Sequence, residues 1–67
     1  LMLAQLGEGD EHEQVAWVRG LLRLQGHDTK FDNLLDQAVR EFQRENGLVA
    51  DGIVGKSTWP ILFDVGG

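Results

Sequence analysis

Apolar residues recur at helical spacing in the first third of the chain. They stand at Val15, Val18, Leu21 and Leu22, and Trp17 and Leu24 widen the same face. This spacing is typical of an amphipathic helix. Asp10 and Glu13 have the spacing of a capping box, and Gly26 stands where a left-handed residue ends a helix. We therefore predict a first helix from Glu11 to Gln25.

A second apolar stripe is more regular. It consists of Leu34, Leu35, Ala38, Val39 and Phe42, with Asp36, Gln37, Arg40, Glu41 and Arg44 expected to face water. Asp32 is the predicted N-cap of this second helix. After Asn46, Gly47 is the predicted left-handed residue of a Schellman motif, in which Leu48 folds back against Phe42.

A third, short helix is predicted near the end of the chain. Pro60 lacks an N–H, so it must lie in the first helical turn, and Ser57 as N-cap places Pro60 at the third helical position. The apolar contacts would come from Trp59, Ile61, Leu62 and Phe63. The predicted fold is therefore a compact all-α domain of three helices with structured connections. It is a single domain over residues 1–67, with its core at about 6–63 and a tail or linker at 64–67.

The connection before the third helix, DGIVGKSTW, has the features of a rigid turn. Asp51 can accept from backbone N–H groups two residues on, and Gly52 permits a positive φ. We expect Ile53 and Val54 to pack inward and Gly55 to turn the chain into the third helix. We call residues 51–58 the second hook.

Residues 28–39 align with residues 51–62 at an offset of 23 positions, so residues 28–35 look like a degenerate copy of this hook. The paired residues are Asp28 and Asp51, Phe31 and Val54, Asp32 and Gly55, and Leu35 and Thr58. Each copy joins one predicted helix to the next. We interpret this first hook as the remnant of an internal duplication within one domain.

Composition narrows the classes of function. The 67 residues carry a net charge of −5, from six basic and eleven acidic residues, so a role in binding nucleic acid is disfavoured. The hydrophobic share of 42% suits a globular domain. No apolar run approaches the roughly 20 residues of a membrane span. The chain has no cysteine, which excludes disulfides and leaves the redox compartment open. We expect a monomer and no membrane association.

The candidate catalytic and metal-binding groups do not form a site in the sequence. His12 and His27 lie in different segments without a third metal ligand at useful spacing. A calcium loop that starts at Asp28 fails, because Lys30 and Asn33 stand where a ligand and a glycine are needed. There is no nucleophile elbow and no carboxylate pair in an evidently apolar setting. We expect a non-enzymatic domain without metal or cofactor.

Residues 38–62 resemble the second half of the peptidoglycan-binding domain often appended to bacterial and phage cell-wall enzymes. That family follows AV-x-x-FQ-x-x-x-GL-x-x-DG-x-VG-x-x-TW-x-x-L. The matching residues are Ala38, Val39, Phe42, Gln43, Gly47, Leu48, Asp51, Gly52, Val54, Gly55, Thr58, Trp59 and Leu62. The first half, V-x-x-LQ-x-x-L-x-x-x-GY, is followed more loosely by Val15, Val18, Leu22 and Gly26, with Arg19 where the family prefers Gln and His27 where it prefers Tyr. The resemblance covers about residues 6–63.

The resemblance implies non-covalent binding to bacterial peptidoglycan. The domain would hold a linked catalytic domain (amidase, muramidase, endolysin or transpeptidase) on its substrate, at the cell wall, in a secreted, periplasmic or phage-released protein. The chain is then one piece of a longer protein, and any secretion signal lies outside it. We expect a shallow groove between the second helix and the 48–59 loop. The candidate ligand-binding residues are Arg40, Arg44, Asn46, Asp51 and Trp59.

The remaining matched positions have structural explanations. A buried amide at Gln43 must be hydrogen-bonded, and the loop backbone is the expected partner. Backbone conformations that favour glycine explain Gly47, Gly52 and Gly55, and Thr58 belongs to the same structural motif. Trp59 has a second interpretation, core packing with its indole N–H bonded to a carbonyl.

A protein-interaction or regulatory docking module on the same scaffold is the alternative function. The acidic surface would favour a basic protein partner. A neighbouring hydrolase or transpeptidase domain would favour wall binding, whereas a virion or secretion component would favour docking. The sequence leaves open the peptidoglycan moiety, the attached enzyme, a bacterial or phage origin, and whether the first hook still contributes to binding.

Overall fold

The computed structural model describes residues 2–66 and contains three α-helices in this range. Helix α1 spans Glu13–Leu21, α2 spans Asn33–Glu45, and α3 is the short segment Trp59–Ile61, which continues into a π-helical turn at Leu62–Gly66. Two isolated antiparallel bridges, Leu6 with Val54 and Glu11 with Lys30, join the connecting segments. The all-α, three-helix prediction is confirmed.

Helix α1 is shorter than predicted, and its N-cap is a different residue. His12 caps it by accepting from the Gln14 N–H at its ring Nδ1 (3.0 Å). The Asp10 carboxylate instead accepts from the Gly7 N–H at 2.8 Å. The predicted capping box is wrong because the backbone before α1 is held extended against the first hook. Phe31 donates to the Asp10 carbonyl, and His12 donates to the Thr29 carbonyl.

The C-terminus of α1 also differs from the prediction. Arg23, not Gly26, is the left-handed residue that ends the helix, with φ 61°. Arg23 donates to the Gly20 carbonyl and Leu24 to the Arg19 carbonyl, which are the two bonds of a Schellman motif. The motif requires a conformation that glycine favours, and an arginine adopts it here.

Both predicted ends of α2 are confirmed. The Asp32 side chain accepts from the Leu35 N–H at 2.8 Å, and Gly47 has φ 70°. The Leu48 N–H bonds to the Gln43 carbonyl at 2.8 Å and closes the Schellman motif. The assignment of faces was partly wrong, because Leu34 is 73% exposed whereas Asp36 is buried.

Helix α3 begins later than predicted and has no side-chain cap. Thr58, not Ser57, is its N-cap residue, and Pro60 lies in the first turn as expected. The preceding turn is closed by Thr58 and Trp59, which both donate to the Gly55 carbonyl. Residues 64–66, predicted to be tail or linker, form the end of the π-helical turn, and Gly66 lies against the backbone of Leu21. Residue 67 of that prediction lies outside the described range.

The core combines all three helices, the π-helical turn, both hooks and the N-terminal segment. Its buried members are Leu6, Val15, Val18, Phe31, Leu35, Val39, Phe42, Val54, Trp59 and Leu62. Residues 2–6 form an N-terminal arm that is tied down by polar contacts. The buried Gln14 side chain accepts from the Ala4 N–H at 2.7 Å and donates to the Met2 carbonyl at 2.9 Å. A side chain on α1 thus positions a segment that precedes it by ten residues.

The two halves of the chain share a geometry that supports the predicted duplication. Each hook begins with an aspartate whose Oδ1 accepts from the N–H two residues on, Asp28 from Lys30 and Asp51 from Ile53. Helices α1 and α2 each carry a buried polar side chain that donates to the carbonyl of the residue two positions after the aspartate. Arg19 donates to the Lys30 carbonyl at 2.6 Å, and Gln43 donates to the Ile53 carbonyl at 3.0 Å.

Candidate functional site

Gln43 holds the second hook against α2. Its side chain is fully buried, and its Oε1 accepts from the Gly52 N–H at 2.9 Å. Its Nε2 lies 3.0 Å from the Ile53 carbonyl, 3.1 Å from the Thr58 hydroxyl and 3.2 Å from Asp51 Oδ1. Both ends of the amide are therefore used inside the protein. The side chain shapes the hook and presents no free group to a ligand.

Asp51 has a structural role in the second hook and is also exposed at the surface. Its Oδ1 accepts from the Ile53 N–H at 2.9 Å, and this bond, more than the Gln43 amide, holds the pKa of the Asp51 carboxyl below its usual value. Gly52 follows with φ 76°. Ile53 was predicted to point inward, but it is 38% exposed, and only Val54 is buried. The hook therefore presents an ionised carboxylate and an apolar side chain at the surface.

A salt bridge on α2 supports the other side of the hook. Arg40 Nε lies 3.1 Å from Asp36 Oδ2, and Arg40 Nη1 donates to the Ala50 carbonyl at 3.1 Å. The Asp36 carboxylate and the Arg40 guanidinium face Gly52 so closely that a Cβ there would overlap Asp36 Oδ1. This packing requires glycine at position 52 for steric as well as conformational reasons.

A surface cleft of about 500 Å³ lies between the end of α2 and the second hook, within the size range of ligand-binding pockets. It is lined by Gln5, Gly47, Leu48, Val49, Asp51, Ile53, Gly55, Lys56, Ser57 and Thr58. We call it the hook cleft. A second cleft of about 570 Å³ adjoins it, between the N-terminal arm and α3. Gln5, Gly55 and Lys56 line both clefts and form the ridge between them.

The hook cleft lies where the sequence predicted a groove, but the five candidate residues do not converge there. Only Asp51 lines it. Asn46 caps α2 and donates from its side chain to the Phe42 carbonyl at 2.9 Å. Trp59 is buried, stacks on Phe63 with ring centroids 5.6 Å apart, and lines the second cleft instead. Arg40 is held in its salt bridge, and Arg44 is exposed outside the cleft lining.

Comparison with known proteins assigns the chain to a family. The sequence profile of the peptidoglycan binding domain family matches residues 11–62, which is most of the chain. The chain belongs to the peptidoglycan-binding domain family. Residues 2–10 of this peptidoglycan-binding domain precede the match, and the N-terminal arm among them packs into the core through Leu6.

One relative is an amidase. The domain is similar to the N-acetylmuramoyl-L-alanine amidase CwlM of Mycobacterium tuberculosis, with 59% identity over 32 residues. The match covers 48% of this chain and 8% of the amidase, so the chain spans a small fraction of that relative's length. Membership of the family implies association with the cell wall.

Sequence reasoning missed several residues that line the hook cleft of this peptidoglycan-binding domain. Lys56 and Ser57 occupy unspecified positions of the family pattern, and Gln5 lies before the matched region. Lys56 could have been found from the sequence, because it is a cation within the second hook, where the surrounding residues have structural roles in the turn. Gln14 was also missed, although its position four residues before Val18 places it on the same face of the helix and indicates burial.

Two features of residues 2–66 bear on other classes of function. No three His, Asp or Glu side chains in this range are grouped so that they could hold a metal ion. Among the same residues, no helix has the length and apolar character needed to cross a lipid bilayer.

Proposed function

We propose that this domain binds peptidoglycan in the hook cleft. The observation that carries the proposal is that residues of the family motif line that cleft. Gly47, Leu48, Asp51, Gly55 and Thr58 belong to the motif and form half of the lining. The fully buried motif residues, such as Gln43 and Val54, fix the backbone around them. The family motif therefore includes residues that line the cleft as well as residues that form the core.

The lining matches the chemistry of the polymer. Asp51, Ser57 and Gln5 provide hydrogen-bonding groups, and Leu48, Val49 and Ile53 provide apolar surface at the rim. Peptidoglycan presents amides, hydroxyls, carboxylates and amines together with the apolar faces of sugar rings. Arg40 and Asn46 act indirectly, by holding the hook and the end of α2. Ligand contact by Arg44 stays a prediction.

We propose further that the domain retains a linked catalytic domain at the wall and has no catalysis of its own. A polymer with many repeated sites raises the effective concentration of the enzyme even when each contact is weak. The similarity to an amidase supports an enzyme of that class. Deleting the domain from the longer protein should lower activity on insoluble sacculi and leave activity on soluble fragments unchanged. Equal loss on both substrates would contradict the retention role.

Co-sedimentation with purified, teichoic-acid-free sacculi at low and high salt tests the binding proposal. Val49 is 79% exposed and lines the hook cleft, so Val49→Asp should reduce the sedimented fraction at both salt concentrations. Val65→Asp is the matched control, because Val65 is 57% exposed and lies away from that cleft. A folded wild-type domain that stays in the supernatant would overturn the proposal. Equal binding by both variants would show that the binding site lies outside the hook cleft.

A further inference from the structure

The hook cleft carries two opposite charges that do not neutralise each other. Asp51 and Lys56 both line it, but the carboxylate and the ammonium group are not within the 4.0 Å of an ion pair. Within residues 2–66 the ion pairs are Arg19 with Asp32 and Arg40 with Asp36, and neither includes Lys56. Oxygen Oδ1 of Asp51 is used by the hook, and the bonds found within residues 2–66 leave Oδ2 unused. One free anionic and one free cationic group therefore face the same 500 Å³ space.

We infer that the hook cleft recognises a zwitterionic ligand, a peptide end that carries both a free amine and a free carboxylate. The inference rests on the proposed function and names the part of the polymer that is bound. The amine would approach Asp51 Oδ2, and the carboxylate would approach the Lys56 ammonium group. Ser57 also lines the cleft, and its hydroxyl would donate to that carboxylate.

The charge of the whole domain favours a zwitterion over an anion. The net charge of −5 repels an anionic ligand at long range, whereas a zwitterion carries no net charge and is not repelled. A ligand with the carboxylate alone would also face Asp51, and a ligand with the amine alone would face Lys56. Among the residues that line the cleft, each charged side chain gains a partner of opposite charge only from a ligand with both groups.

The position of Lys56 indicates the direction in which a bound peptide would run. It lies on the ridge between the hook cleft and the cleft beside the N-terminal arm, together with Gln5 and Gly55. A peptide end held between Asp51 and Lys56 can extend its chain across the ridge towards Leu3 and Pro60. In peptidoglycan, cross-linking converts the stem-peptide amine into an amide. The domain should therefore prefer uncross-linked stem peptides.

A titration of the ¹⁵N-labelled domain with three synthetic stem peptides tests this inference. One peptide ends in a diamino acid with free amine and carboxylate, the second is N-acetylated at that amine, and the third is amidated at that carboxyl. Free peptide should shift the amide signals of residues 47–58. Either capped peptide should bind about threefold to fivefold more weakly, as expected for loss of one exposed charge pair.

Two variants assign each charge to its partner. Lys56→Gln should abolish discrimination against the amidated peptide only, and Asp51→Asn should abolish discrimination against the acetylated peptide only. Asparagine keeps the oxygen that accepts from the Ile53 N–H, so the hook stays intact. The matched controls are Lys30→Gln and Asp28→Asn, which make the same changes in the first hook. Both controls should discriminate as the wild type does.

The outcomes separate this inference from the proposed function. Binding to sacculi together with equal affinity for all three peptides would overturn the zwitterion inference and leave peptidoglycan binding in place. Discrimination among the peptides without binding to sacculi would support the inference and overturn wall binding. If the variants weaken the binding of all three peptides equally, Asp51 and Lys56 do not recognise the amine and the carboxylate.

Discussion

Trp59 donates its indole N–H to the Ala4 carbonyl at 2.7 Å, across a separation of 55 residues. This bond ties the N-terminal arm, which precedes the region of the family match, to the first residue of α3. The same arm forms one side of the ridge beside the hook cleft through Gln5. The tryptophan therefore belongs to the core of the fold, and it also positions part of the candidate site.

Replacing Trp59 with Phe should destabilise the domain. The substitution leaves the partly buried Ala4 carbonyl without its donor, which costs about 1 kcal/mol, and it also reduces the volume of a core residue. Trp17→Phe is the matched control, because Trp17 is 38% exposed, and we expect a change within about 0.5 kcal/mol. Urea unfolding followed by circular dichroism measures both. Equal effects of the two substitutions would show that the indole bond does not contribute.

Gly52→Ala should cost more than Gly47→Ala. Both glycines have positive φ, 76° and 70°, so both variants carry the left-handed strain of about 1–2 kcal/mol. A Cβ at Gly47 meets open space, whereas one at Gly52 overlaps the carboxylate of Asp36. Moving that carboxylate breaks its pair with Arg40. The difference between the two free energies of unfolding isolates this steric part, and a difference of zero would contradict it.

His12→Ala should destabilise α1 by about 1 kcal/mol, because the Gln14 N–H loses its capping acceptor. His12→Asn should retain the stability, since asparagine is a favourable N-cap residue. Amide hydrogen exchange of residues 13–16 reports the fraying of this helix end directly. Unchanged exchange in His12→Ala would show that another group caps α1.

The ends of α2 could be predicted from the sequence because their signals are local. Asp32 and Gly47 satisfy the helix termini with bonds to residues three or four positions away. The ends of α1 could not, because pairing of residues 9–12 with the first hook keeps the chain extended past Asp10. The burial of Asp36 depends on Gly52 and Arg40, which are brought to it by the tertiary fold. The cleft lining was missed for a similar reason. Gln5 and Lys56 are far apart in the sequence and line the same cleft only because the N-terminal arm packs against the second hook.

The acid sensitivity of the domain should depend on Asp32. The Leu35 N–H, and to a smaller extent the Arg19 guanidinium, lower the pKa of the Asp32 carboxyl. Its contribution to stability is therefore fully present above the unfolded-state value of about 3.9 and is lost as the pH falls through the lower folded-state pKa. Asp32→Asn does not titrate there, so its stability should fall less steeply below about pH 4. Urea midpoints across that range give the slopes, and parallel curves for both proteins would contradict the prediction.

Arg19→Gln tests how far the two halves of the chain are equivalent. Gln43 shows that a glutamine at the matching place in α2 reaches the carbonyl of the hook, so the variant should keep the bond to Lys30. It loses the donor to the Asp28 carbonyl at 3.0 Å and the ion pair with Asp32 at 3.5 Å. We expect a loss of about 1–2 kcal/mol in the free energy of unfolding.

The same variant separates the two causes of the lowered Asp32 pKa. The bond from the Leu35 N–H is the larger cause and stays in place, whereas the charge of Arg19 is removed. The pH dependence of stability in Arg19→Gln should therefore stay closer to that of the wild type than to that of Asp32→Asn. A slope as shallow as that of Asp32→Asn would make the guanidinium the dominant cause. Such a result would also mean that the first hook depends on a charge that the second hook, held by the neutral Gln43, does not need.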